Sequence, residues 1–166
     1  MNKNSIISHY LLSIDQMGAY INDLTDSEIK KIFEPMNCIG WLLGHCSYYN
    51  FSIANKISNK DIPEEAKKYM NGMPHSTPEL DEILNLWKSS TDIVKDSLIN
   101  LDERELKNKF TAEFKHGSEA EKINLGTDIS RLIFHLWNHL GEIASVRQLL
   151  GKKPGNPGYG KWDWRY

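Results

Sequence analysis

Four long segments of this chain repeat apolar residues every three or four positions, and no stretch sustains an alternation of two. The first carries Ile6, Ile7, Tyr10, Leu11, Ile14, Met17, Ile21 and Leu24. The second runs from about Asn37 to Ile57, with Asn37, just after Pro35, suited to cap it. The third opens on Thr77-Pro78, as cap and first helical residue. It places Leu80, Leu84, Trp87, Thr91, Val94, Leu98 and Leu101 on one stripe. The fourth spans about Thr127 to Leu150, and Gly151 closes it. Helices of this length with one apolar stripe each must bury those stripes against one another. The simplest result is an all-α fold, a four-helix bundle with short accessory helices.

The connections carry their own signals. Thr25 with Glu28 three residues on is a capping-box spacing, so a short helix follows the first long one. Pro63 starts, and Gly72 stops, a second short helix expected to be exposed. Residues 102–126 are polar and too many for a structureless loop in a compact domain. They are expected to hold a short helix at Asp102–Leu106 and then a long crossover. The Pro- and Gly-rich end cannot be helical, and its cluster of Trp162, Asp163, Trp164 and Tyr166 suggests a tail that packs back. The expected organisation is one domain over 1–151 and an aromatic tail over 152–166 on the same domain.

The chain has 166 residues and a formal net charge of −2. That balance, with no basic run among the aromatics, argues against a nucleic-acid partner. No segment reaches the ~18 apolar residues of a membrane span, and the amphipathic start does not read as a signal peptide. A cytoplasmic protein with no membrane partner is expected. Cys38 and Cys46 fall in one predicted helix, roughly 12 Å apart along its axis, too far to bridge. Two reduced cysteines fit a reducing compartment.

Of six histidines, His75 and His116 lie in predicted loops and His9 reads as an ordinary helix residue. His135 and His139 are different. Four residues apart on a helix, they are offset by ~40° and ~6 Å, so both rings point the same way and can share one metal ion. They sit on the shoulder of a stripe centred on Leu132, Leu136 and Ile143. His45 occupies the same position beside a stripe of Ile39, Leu42, Cys46 and Ile53, with Trp41, Tyr48 and Tyr49 around it. Half-buried polar rings need compensating partners. Three of them on neighbouring helices can converge on an ion, and hydrogen-bonded core histidines are the rival reading. Cys46 points into its stripe and reads as a small buried residue, not a ligand.

Two segments carry a family resemblance. Asn37-Cys-Ile-Gly-Trp41-Leu-Leu-Gly44-His45 resembles the N-x-x-x-W-x-x-G-H segment of the DinB-like superfamily. His135-x-x-x-His139-Leu-Gly141-Glu142-Ile143, followed by Arg147 and Leu150-Gly151, resembles its H-x-x-x-H-x-G-Q-I motif with a later Arg and Leu-Gly. The resemblance implies an up-and-down four-helix bundle with a long crossover. It implies His45, His135 and His139 on one divalent transition metal, zinc or nickel, with open positions for a ligand. It also implies a homodimer. The chain departs from the pattern at Glu142, where Gln is usual, and at Cys38, where Pro is common.

Three imidazoles leave an ion its full charge and at least one open position. Such an ion can hold a thiol as thiolate, or lower the pKa of bound water. The resemblance, which extends to bacillithiol and mycothiol S-transferases, favours the first. The expected function is a metal-dependent, transferase-like protein. It would activate a low-molecular-weight thiol of the bacillithiol type for attack on a small electrophile, in stress or detoxification. Trp41, Tyr48 and Tyr49 would wall the pocket. The alternatives are a metal-dependent hydrolase with Glu142 as catalytic base, and a non-enzymatic metal- or ligand-binding stress protein.

Overall fold

A computed structural model describes residues 5–116 and 119–153. In chain order the elements are α1 (Ser5–Ile21), α2 (Asp26–Ile29), α3 (Ile39–Ser58), α4 (Glu64–Lys67) and α5 (Leu80–Leu98). They continue with α6 (Glu103–Asn108), the strands β1 (Phe110–His116) and β2 (Glu119–Asn124), and α7 (Leu125–Leu149). The chain is mostly helical, as its periodicity requires. Helix α3 packs on both α5 and α7, and α1 packs on α7 and α5. Their stripes meet in one core that includes Met17, Leu43, Ile53, Ile83, Val94, Ile129 and Ile143. Among the described residues, no helix is long and apolar enough to cross a membrane. Cys38 and Cys46 are both buried and free.

A polar chain runs through this core. The Tyr10 hydroxyl donates to Asn50 Oδ1 at 2.8 Å, and Asn50 Nδ2 donates to Ser90 Oγ at 3.3 Å. Ser90 Oγ in turn donates to the Trp87 carbonyl at 2.8 Å. Burial drives the Tyr10 hydroxyl well above the usual phenol range, so it stays a neutral donor. The network ties α1, α3 and α5 together with each buried group satisfied.

Several expected boundaries move for identifiable reasons. The cap of α3 is Cys38, not Asn37: its sulfur accepts from the Trp41 N–H at 3.4 Å. Helix α5 starts at Leu80 instead of Thr77-Pro78, because the Leu80 N–H is satisfied from α2 by Asp26 Oδ1 at 3.0 Å. The buried face of α5 is rotated from the expected stripe toward Ile83, Leu86 and Ser90, with Leu80 and Leu84 half-buried. Pro63 does precede α4, and Gly72 adopts a left-handed φ of 86°. That segment is not wholly exposed, however, since Ala66 and Tyr69 are fully buried. The Glu28 carboxylate accepts from the Thr25 N–H at 2.8 Å, as the capping-box spacing predicts.

The crossover is the main correction. It holds α6 and then an antiparallel hairpin, with Ala112 opposite Ile123 and a register irregularity between Phe110 and Ala112. Phe110, Ala112 and Phe114 alternate for too short a run to count as a sustained period of two, and the second strand, Glu-Ala-Glu-Lys-Ile-Asn, is built, Ile123 apart, from residues depleted in strands. Pairing with β1 overrides that preference. The Leu125 N–H donates to the Lys109 carbonyl at 2.7 Å, closing the hairpin against the start of α7. Asn124 caps α7 by accepting from the Thr127 N–H at 2.8 Å, so the helix begins two residues early. Gly151, at a φ of 75°, ends it. Residues 154–166 of the expected tail, including Trp162, Asp163, Trp164 and Tyr166, lie outside the described residues.

Arg147 joins the last turn of α7 to the end of α1. Its guanidinium donates to the Tyr20 carbonyl at 2.7 Å, to Asp23 Oδ1 and Oδ2 at 2.6 and 3.1 Å, and to the Lys153 carbonyl at 3.0 Å. One side chain thus satisfies an orphan carbonyl of α1 and pairs bidentately with a carboxylate. The guanidinium is buried while Asp23 is largely solvent-exposed, so screening limits the ionic part. Arg147→Ala is expected to destabilise the fold by about 2 kcal/mol, mainly through the lost charged hydrogen bonds. Urea denaturation monitored by circular dichroism checks this; an unchanged midpoint would refute it.

Candidate metal centre

Helices α3 and α7 bring His45, His135 and His139 together. Each offers one ring nitrogen such that the three atoms lie within 4.8 Å of one another, and among the described residues they form a group able to hold a metal ion. Ring centroids are 5.1 Å apart for His45 and His135, 5.0 Å for His45 and His139, and 4.4 Å for His135 and His139. His135 and His139 are half-buried, as their shoulder positions predict. His45 is deeper than expected, at 5% exposure.

Two rings are oriented from behind. His45 Nδ1 lies 2.7 Å from the Tyr69 carbonyl, which can only accept, so that nitrogen carries the proton and Nε2 is left as a lone pair. The approach depends on Gly44. A β-carbon there would stand 2.6 Å from the Tyr69 ring, which therefore packs directly on the α3 backbone. Trp41 stacks on His45 at 4.9 Å and 16° between planes, and its indole N–H donates to the Pro74 carbonyl at 3.3 Å. His139 Nδ1 lies 2.7 Å from Glu142 Oε2, which fixes that ring in the same way.

The remaining atoms test whether an ion fits. His139 Nε2 and His135 Nε2 are 3.0 Å apart, and the buried His135 Nδ1 has no partner. With the His139 proton on Nδ1, its Nε2 presents a lone pair. If His135 carries its proton on Nε2, its Nδ1 is an unmet acceptor; if on Nδ1, two lone pairs face each other. A cation between the Nε2 atoms removes that repulsion, and their spacing is close to the ~3.3 Å edge of a tetrahedron with ~2.0–2.1 Å bonds. Burial, with His139 and His45 nearby, pushes His135 down to about 4. Burial likewise lowers His45, against the opposing hydrogen bond to Tyr69. Both rings stay neutral, the state a ligand needs. The donor set fits a divalent transition metal.

Other expected residues divide. Tyr49 packs edge-on against His45 at 5.0 Å and His135 at 4.6 Å, and Tyr48 packs on Tyr49 at 5.3 Å. Cys46 is fully buried, its thiol pushed up by burial, and it stands outside the histidine group. His9 lies in α1 and His75 precedes α5; neither joins the group. Tyr69 was not legible as a participant: its contribution is a backbone carbonyl, which leaves no mark on residue type.

The family profile of the DinB superfamily matches residues 10–143, a span that contains all three histidines. The chain belongs to the DinB superfamily. No curated protein and no solved structure matches it. For this DinB-superfamily chain, the departure at Glu142 acquires a physical reading. The atom used is a carboxylate oxygen accepting from His139 Nδ1, and the carbonyl of the more usual Gln can accept the same bond.

Two outcomes follow from this arrangement. Glu142→Ala is expected to lower metal affinity about tenfold, and Glu142→Gln to change it less than threefold. Competition with a chromophoric chelator measures both, and equal losses would remove the orienting role. In metal-free protein, His135 binds a proton in the unfolded state at about pH 6.5 but in the folded state only near 4. Stability should therefore fall as pH drops from about 6.5 toward 4. Urea midpoints at pH 7 and 4.5 should differ more for the wild type than for His135→Gln.

Proposed function

We propose that this chain is a metal-dependent, transferase-like protein in which His45, His135 and His139 hold one divalent ion, zinc or nickel. It would activate a low-molecular-weight thiol, of the bacillithiol type, for attack on a small electrophile. The observation that carries the reading is the convergence of three ring nitrogens with two of the rings tied off from behind. Such a set supplies three ligands, and a structural zinc site usually has four. An ion there would keep a bound thiol as thiolate near neutral pH. The chain's own residues orient and desolvate. Tyr69 and Glu142 aim their histidines, while Trp41 and Tyr49 cover His45 with aromatic surface. In the overall reaction the thiol loses its proton to solvent, a sulfur–carbon bond forms, and the electrophile's leaving group departs.

Hydrolysis by metal-bound water with Glu142 as base is the weaker reading. The Glu142 carboxylate is engaged at His139 Nδ1, on the opposite side of the ring from Nε2. The up-and-down bundle, the domain over 1–151, the homodimer and the cytoplasmic location belong to the same proposal.

Zinc- or nickel-loaded protein should conjugate monochlorobimane with bacillithiol, glutathione or coenzyme A faster than metal-free protein. His135→Ala should abolish the metal-dependent part. No rate above the metal-free protein with any of the three thiols would overturn the proposal.

A further inference from the structure

Cys38, Trp41 and His45 lie on one stripe at the start of α3, three and four residues apart over roughly 10 Å of helix. Each donates to a main-chain carbonyl of the segment that joins α4 to α5. The Cys38 thiol donates to the Ser76 carbonyl at 3.3 Å, the Trp41 indole N–H to the Pro74 carbonyl at 3.3 Å, and His45 Nδ1 to the Tyr69 carbonyl at 2.7 Å. The order of donors reverses that of acceptors, so the segment runs antiparallel to α3 and is strapped to it at three points. Burial pushes the Cys38 thiol up, which keeps the proton it donates. Its sulfur also accepts from the Trp41 N–H at 3.4 Å, so one thiol joins the helix start to the strap.

Glycine seats both ends of the strap. Tyr69 lies on Gly44 and Pro78 on Gly40, where an added β-carbon would stand 2.6 Å and 2.9 Å from their rings. Gly40 and Gly44 are four residues apart and share a face of α3. Tyr69 and Pro78 are buried, whereas residues 70–77 are all exposed. That stretch buries little apolar surface, so its place on α3 depends on the side-chain donors beneath it. A hydrogen bond weakens steeply as it lengthens or bends. If the Tyr69 carbonyl withdraws, nothing holds the proton on His45 Nδ1, and both tautomers of the neutral ring are populated. One of them carries its proton on Nε2 and has no lone pair there for an ion.

We infer that Cys38 and Trp41 are positioning residues for His45: by holding the segment 69–78 in register on α3, they keep the Tyr69 carbonyl at Nδ1 and the lone pair on Nε2. The inference rests on the metal reading of the three histidines and adds two residues that stand outside the donor set.

Nitrogen-15 NMR of the histidine rings in metal-free protein reads the tautomer directly, at about pH 8 where the rings are neutral. Loss of signals in His45→Gln assigns the ring. A single tautomer keeps its two nitrogens far apart in chemical shift, and exchange between tautomers draws them together. The wild type should show the wide separation. Trp41→Phe keeps an aromatic ring against His45 but removes the indole donor, and Cys38→Ala removes the thiol. Each should narrow the separation and weaken zinc binding about fivefold in competition with a chromophoric chelator. Cys38→Ser keeps a donor and an acceptor, and should restore the wide separation and an affinity within about twofold of the wild type. A separation unchanged in both Trp41→Phe and Cys38→Ala would overturn the inference, whatever the zinc affinity does. Equal losses in Cys38→Ser and Cys38→Ala would overturn the role of Cys38. If Cys38→Ala does not fold, Trp41→Phe decides. A wild type that binds no zinc would overturn the metal reading, while the ring shifts of the metal-free protein still decide whether the strap sets the tautomer.

Discussion

The histidine site depends on a close approach that only glycine permits. Gly44 lets the Tyr69 ring lie on the backbone of α3, and that contact delivers the Tyr69 carbonyl to His45 Nδ1. The bond decides which nitrogen of His45 carries the proton, and so which one faces α7. A chain segment well outside the two histidine-bearing helices therefore sets the chemistry of one imidazole. The Gly-His pair works as a unit, with the first residue admitting the segment that orients the second.

Helix α7 has a comparable division of labour along its length. Asp128 stands near its start, His135 and His139 in its middle, and Arg147 near its end. Asp128 pairs with α3, the histidines face α3, and Arg147 closes on α1. The apolar stripe between them holds the helix in place, so polar groups can be presented from its edges without interrupting the core. Desolvation is part of the result. The same kind of burial that keeps His135 neutral also keeps Cys46 a protonated thiol, so desolvation holds both side chains in their uncharged forms.

Much of this was legible in residue order, and the exceptions have physical causes. The four long helices follow from their three-to-four spacing, and the pairing of His135 with His139 follows from helix geometry. His45 was legible as a shoulder residue, yet its depth was not, because the Tyr69 segment that covers it comes from elsewhere in the chain. The hairpin is not legible in residue order because its second strand is rich in Glu and Lys, and strand pairing is a non-local decision. The starts of α3 and α5 shifted because their first N–H groups are met by partners that local rules do not anticipate: a cysteine sulfur and an aspartate from another helix. Residue order does not connect Lys56 with Asp128; their ion pair forms only where α3 lies beside α7.

The buried chain from Tyr10 through Asn50 to Ser90 has a consequence for how tightly the helices are indexed. A purely apolar seam tolerates sliding and rotation, since one methyl surface replaces another at little cost. A polar ladder has a single satisfied arrangement, and any slip strands a buried donor or acceptor. Asn50 sits little more than one turn beyond His45 on the same helix, so the ladder that indexes α3 against α1 and α5 also sets the angle at which His45 meets α7. Replacing the three residues with hydrocarbon would exchange registry for adhesion, giving a stickier set of helices whose histidines meet less consistently.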